Sequence, residues 1–287
     1  SQMRLQVTIQ PTRENVGLAK NKGLYRTANK LRLWSIVFSA QISYGKAYYH
    51  LKRREHEKAW NKLEEVERWI ETVGINCSDT ELFTNFRLVD IDDRLKKLQS
   101  LFPYHLFASP GFSIKKGVCT ICGEDMVDPN SLCSHLTRRI YKGELCSREV
   151  VEFELNHVAL VENPERKYRV IKPTDGDGKE LDWYAFDHLD YVMQVLRHPL
   201  QYWAFTITLR PVPLDKVDTP ARNEKCVCGS GRKFKNCHYR KDTFTIQHYN
   251  FNFPGVPQSR IPDETWRIHE HPEWDSREVQ VPLFRTE

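Results

Sequence analysis

The residues with the clearest chemical capacity are Cys226, Cys228, Cys237 and His238, in the stretch Cys226-Val227-Cys228-Gly229-Ser230-Gly231-Arg232-Lys233-Phe234-Lys235-Asn236-Cys237-His238. Two thiols one residue apart, followed by an adjacent thiol and imidazole, supply the four soft donors that suit a tetrahedral zinc ion. The Gly-Ser-Gly segment allows a tight turn after the first pair. Arg232, Lys233 and Lys235 lie close enough in the chain to stabilise thiolate anions. A second donor set begins at Cys119-Thr120-Ile121-Cys122-Gly123 and continues at Cys133-Ser134-His135. There C-x2-C and C-x-H form two halves of a tetrahedron, giving Cys119, Cys122, Cys133 and His135 as ligands. Cys146, further along, is an alternative to His135 for the fourth position. Each set fills all four positions with protein donors, as structural zinc requires, whereas catalytic zinc keeps one open for water or substrate. Two zinc ions per chain are therefore expected.

The segment around Cys226 resembles the SEC-C motif, named for the C-terminal zinc module of the SecA translocation ATPase and appended to many bacterial proteins. The resemblance rests on C-x-C, the following Gly-Ser-Gly, the Lys and aromatic positions before the second pair, and His238 as last ligand. Val227, where proline is common, departs from the pattern without touching a ligand. The resemblance implies a structural zinc finger used as a protein-docking surface, as in the contact of SecA with the SecB chaperone. It implies no ATPase, because no G-x-x-x-x-G-K-[ST] phosphate loop occurs in the chain. The first set, with Ala159-Leu160-Val161 and Asn163-Pro164 beyond it, is loosely similar to zinc-ribbon-like segments of bacterial and phage proteins, which implies no activity.

The elements that must hold these sets divide by pattern. After a strand-like Leu5 to Ile9, the proline-free stretch from Thr27 to Gly74 reads as helix. Ala59, Leu63, Val66 and Ile70 mark one helix face that packs against the preceding helix. Leu31, Trp34, Ile36, Val37, Phe38 and Ile42 form a band wide enough for burial on more than one side. Ser78, with Glu81 three residues on, is the expected cap of a third helix running towards Leu101. Pro103, Pro110 and Gly111 place a linker over Phe102 to Phe112. Strands are expected at Val150 to Leu155, Val158 to Val161 and Phe205 to Leu209, and a helix at Trp183 to Leu196. The resulting fold class is α+β. A helical domain spans 1–110, a zinc-stapled β-rich domain 111–172, and an α/β connector 173–222. A SEC-C finger at 223–242 and an extended C-terminal arm at 243–287 complete the chain.

Composition narrows the function classes. The chain has 287 residues, with 43 Lys and Arg against 38 Asp and Glu, for a formal charge of +5. That excess is too small to indicate a polyanionic partner by itself. No apolar run reaches the ~20 residues that cross a bilayer, and no signal-peptide core stands near the start. With six of eight cysteines in metal-ligand spacing rather than a disulfide framework, a cytoplasmic protein is expected, and the resemblance to the SEC-C motif implies a bacterial one. His269-Glu270-His271 and Asp175-Gly176-Asp177-Gly178 read as a solvated tail and a plain turn. Lys52-Arg53-Arg54 and Arg138-Arg139, near Tyr48, Tyr49 and Tyr141, carry the nucleic-acid alternative. No G-x-S-x-G, dinucleotide loop or H-E-x-x-H occurs. The expected function is non-catalytic binding of a protein partner through Arg232, Lys233, Phe234 and Lys235. Alternatives are a nucleic-acid-associated zinc protein, or an enzyme whose site lies in the helical or interdomain region.

Overall fold

The computed structural model describes residues 14–104, 106–162, 167, 169–172, 177, 184–214, 219–226 and 232–262. The strand expected at Leu5 to Ile9, the His269 tail, Cys228 and most of the Asp175 turn lie outside them. The chain is α+β and groups into two compact units, Ser1–Leu200 and Gln201–Glu287.

The first unit is built on helices. A short α1 (residues 14–21) leads into α2 (Tyr25–Lys52) and α3 (His56–Asn76), which form an antiparallel pair. Arg54, at φ 58, makes the turn between them. The wide apolar band of α2 is used as its sequence demands, because this helix packs against α3, α5 (Leu88–Ser100), α6 (Asp187–Val195) and a small β-hairpin. Ile36, Val37, Ala40, Ala47 and Leu51 of α2 meet Ala59, Leu63, Val66 and Val73 of α3 in the buried core. The helix expected from Ser78 differs in two ways. Asp79 is the cap, its side chain accepting from Glu81 N, and α4 (Thr80–Asn85) stops short. Arg87, at φ 58, then interrupts the path before α5. Gln41 Nε2 donates to Phe86 O at 2.7 Å and pins this break to α2.

The expected linker is in large part a strand. β1 (Phe107–Cys119) pairs antiparallel with β4 (Arg148–Val161), and the pairing runs through Pro110 and Gly111. A two-stranded ribbon leaves one edge of each strand unpaired, so proline is tolerated there. Register shifts at Gly111/Phe112 and on both sides of Lys116 bend the ribbon. Val150 to Leu155 and Val158 to Val161 therefore belong to one strand. At the ribbon base, Phe107 packs in an aromatic cluster with Trp60, Phe102 and Tyr104, and Trp60 Nε1 donates to Lys167 O. The loop from Cys119 to Arg148 carries the hairpin of β2 (Ile140–Tyr141) and β3 (Glu144–Leu145). Lys142 and Gly143, at φ 50 and 81, form its two-residue turn.

In the second unit, β5 (Ala204–Pro213) pairs along its whole length with β6 (Thr243–Asn252). Trp203, Phe205, Tyr249, Phe251 and Phe253 stack along the ribbon, with successive centroids near 6 Å, as in the Trp203–Phe205 pair at 6.0 Å. Residues 214–242 form the excursion between the two strands.

Candidate metal centres

At the first centre, β1 delivers Cys119 into the interior at 1% exposure, and a tight turn carries the chain to Cys122. Gly123 closes this turn at φ 80, donating its N–H to Cys119 O at 2.9 Å. The amide of Ile121 points at Cys119 Sγ from 3.4 Å, the N–H to sulfur contact of a zinc knuckle. Asp125 accepts from Val127 N and Gly117 N, which fixes the return of the loop and holds its carboxyl below the usual range. Asp128 then turns the chain, accepting from Asn130 N, and Ser131 Oγ accepts from Cys133 N.

These turns bring the expected ligands together. The donor atoms of Cys119, Cys122, Cys133 and His135 all lie within 4.8 Å of one another. Cys122 and Cys133 sulfurs are 3.6 Å apart, and His135 Nδ1 is 3.8 Å from Cys133 Sγ. Cys146 is fully buried, with its sulfur 3.8 Å from that of Cys119. Thr120 and Ser147 lace the two segments, through Thr120 N to Ser147 O and Ser147 N to Thr120 Oγ1. The donor set thus fits a thiophilic cation such as zinc.

The thiols differ in electrostatic setting. Burial pushes the Cys119 thiol up, but the amides of Cys122 and Ile121 and the thiols of Cys122 and Cys133 outweigh it, leaving the value at about 6. Cys146 is pushed up to about 11, first by burial and then by Cys119 beside it. The first negative charge of the cluster therefore settles on Cys119.

The loop is also tied to the helices, by contacts between residues far apart in sequence. Asn76, the last residue of α3, donates from Nδ2 to Arg138 O at 2.7 Å and accepts at Oδ1 from Ile140 N at 2.8 Å. Arg138 sits at φ 67 and reaches back to Glu71, Thr72 and Arg68 O. Asn29 of α2 accepts from Gly143 N at 2.6 Å. The sequence marked Arg138 only as part of a basic cluster, and Asn76 and Asn29 carried no local signal. A half-open depression of about 310 Å³ beside the hairpin is lined by Asn29, Lys30, Trp34, Asn76, Cys77 and Asp79. Its amides hold the hairpin and Asp79 caps α4, so this polar lining serves the fold.

At the second centre, Cys226, Cys237 and His238 converge, with His238 Nδ1 at 3.3 and 3.2 Å from the two sulfurs. A short pairing of Lys225 with Lys233 brings the halves together, reinforced by Cys226 N to Arg232 O and Phe234 N to Glu224 O. A 3-10 turn, Phe234–Asn236, places Cys237, and the amides of Cys237 and His238 both donate to Phe234 O. Burial and Lys241 hold the His238 imidazole below its ordinary value, so the ring is neutral and free to coordinate at neutral pH. Phe234 requires a correction. It is only 4% exposed and packs edge-on against Tyr239, because the finger is too small to fold without an apolar plug. Arg232, Lys233 and Lys235 are exposed, and Tyr239, with Arg222 over its ring, is the aromatic group at the surface.

The basic clusters read for nucleic acid are largely engaged within the first unit. Lys52 donates to Met193 O and Leu196 O at the end of α6, Arg54 pairs with Asp190 at 3.3 Å, and Arg138 pairs with Glu71 at 2.9 Å.

No helix among the described residues is long and apolar enough to cross a membrane. No solved structure matches the chain at significance. Residues 222–240 match the SEC-C motif family, as the spacing of Cys226, Cys228, Cys237 and His238 leads one to expect.

Proposed function

We propose that the protein is a non-catalytic zinc-binding adaptor that holds two ions and presents its SEC-C finger to a partner protein. The observation that carries this reading is the closure of the first donor cluster. At the first centre at least four protein donors stand within 4.8 Å of one another, so the metal fastens the fold and has no place for a substrate. At the second centre the metal pins a short loop whose outer side displays Arg232, Lys233, Lys235 and Tyr239. Exposed basic side chains and one exposed aromatic ring within a single short segment suit an acidic surface patch with an apolar centre. The internal ion pairs of Arg54 and Arg138 favour this over the nucleic-acid reading, since those charges are already matched.

The test is a variant with Arg232, Lys233 and Lys235 each changed to Glu, all three being exposed and none a ligand. Zinc content should remain at about two ions per chain while partners cross-linked in cells are lost. Retention of every partner at unchanged zinc content would overturn the docking role.

A further inference from the structure

Cys119, Cys122, Cys133 and His135 lie within 4.8 Å of one another, and a fifth donor, Cys146, stands 3.8 Å from Cys119, at a centre that needs four. We infer that its fourth ligand is Cys146, and that His135 is an outer residue that donates a hydrogen bond to Cys133. This inference rests on the reading that the first centre holds a metal.

A tetrahedral ion about 2.3 Å from each sulfur separates two ligand sulfurs by about 3.8 Å. Cys119 and Cys146 stand at 3.8 Å and Cys122 and Cys133 at 3.6 Å, so the four sulfurs form two pairs at ligand spacing. His135 Nδ1 stands 3.8 Å from Cys133 Sγ, further out than His238 Nδ1 stands from either of its sulfurs, at 3.3 and 3.2 Å. A spacing of 3.8 Å also admits an N–H between the His135 ring and the sulfur.

Burial decides which donor is left over. The excluded group must find another partner, and a group that reaches water does so at little cost. His135 is partly exposed, and its ring rests edge-on against Tyr141 at 4.5 Å. Cys146 is at 0% exposure, so excluding it would strand a polarisable sulfur against a metal-bound thiolate. Its backbone is also held on both sides, since Arg138 N donates to Cys146 O at 2.7 Å and Cys146 N donates to Arg139 O at 2.8 Å. The pairing of Cys119 with Arg148 and the Thr120–Ser147 bonds then set the two sulfurs side by side. His135 lies within reach of Cys133 for an N–H to sulfur contact, which damps the charge of the thiolate and orients it.

The experiment is cadmium-113 NMR of the full chain after replacing the native metal with cadmium-113. The chemical shift of this nucleus moves downfield with each sulfur ligand. Two signals are expected, one in the four-sulfur range and one in the range of three sulfurs and one nitrogen. His135→Asn should keep both, moving the downfield signal by less than the gap between them. Cys146→Ser should abolish the downfield signal and lower metal content from about two ions to about one. Two wild-type signals in the three-sulfur range, or loss of one signal in His135→Asn, would overturn the assignment of Cys146 alone. A single wild-type signal from the second centre would remove the first metal and this inference with it. Wild type and His135→Asn decide the matter even where Cys146→Ser does not fold.

Discussion

Asn76 joins the first metal loop to the helical core with both ends of its amide. Its Nδ2 donates to Arg138 O and Thr72 O, and its Oδ1 accepts from Ile140 N. Asn76→Ala should cost about 1 to 3 kcal/mol in denaturant unfolding of the metal-loaded protein, because it leaves a part-buried amide and carbonyl without partners. Asn76→Asp keeps the acceptor but turns a carboxylate towards two carbonyl oxygens, and should be at least as damaging at neutral pH. A loss well under 0.5 kcal/mol for both, the range of an ordinary surface change, would show that the clamp holds nothing. Such a residue is illegible in sequence, since Asn76 and Ile140 are 64 positions apart and asparagine has many ordinary uses. The two cysteine/histidine clusters were legible for the opposite reason: Cys119 to His135 and Cys226 to His238 each fall within a short stretch of sequence, and few other arrangements demand that spacing. The choice between Cys146 and His135 was not, because it turns on burial and on a strand register that no local spacing encodes.

Turns and strands show the same division between local and distant causes. The helical pair was readable because α3 repeats its apolar residues on one face, and α2 carries too many for one contact. β1 was not, because Pro110 and Gly111 are linker residues in any local reading, and only the register with β4 makes them part of a ribbon. The β2–β3 hairpin matters most for positioning Cys146, and its turn depends on Gly143. A Cβ there would approach Val16 Cγ1 to 2.8 Å and Ala28 Cβ to 3.1 Å, at a backbone φ of 81. Gly143→Ala should therefore destabilise the first unit by about 2 to 4 kcal/mol, combining backbone strain with a clash against Val16 of α1 and Ala28 of α2. Gly123→Ala is the control, since its φ is 80 but nothing lies within 4 Å of the added carbon. It should lose only the backbone part, about 1 to 2 kcal/mol. Equal losses at the two positions would mean that the hairpin yields freely and does not press on the helix.

The two centres also set the charge and pH response of the molecule. The chain's formal charge of +5 counts every cysteine as neutral, yet each thiol that binds zinc gives up its proton. Cys119, at about 6, is already largely a thiolate at pH 7 in the folded apoprotein, whereas Cys146, at about 11, holds its proton until the metal displaces it. His238, held below its ordinary value, is neutral at pH 7 and releases nothing on binding. A thiol near its reference value of about 8.5 is protonated at pH 7, so loading both centres should release on the order of five or six protons per chain. Zinc titrations by calorimetry in buffers of different ionisation heat should return that number as the slope, and a slope near zero would exclude the thiols as ligands. The sign of the pH effect follows from the same groups. Protons compete with zinc for each displaced thiol, so affinity falls as the medium is acidified. His238 adds to this in the metal-free protein: with a folded value below 6.5, the unfolded chain takes up its proton first as pH drops. The stability tied to its neutral ring is thus complete above that pH and declines as pH falls towards the depressed folded value. Acid should therefore weaken metal binding at both centres and the fold of the finger together, which a pH series of zinc content and thermal midpoint would record as coincident losses.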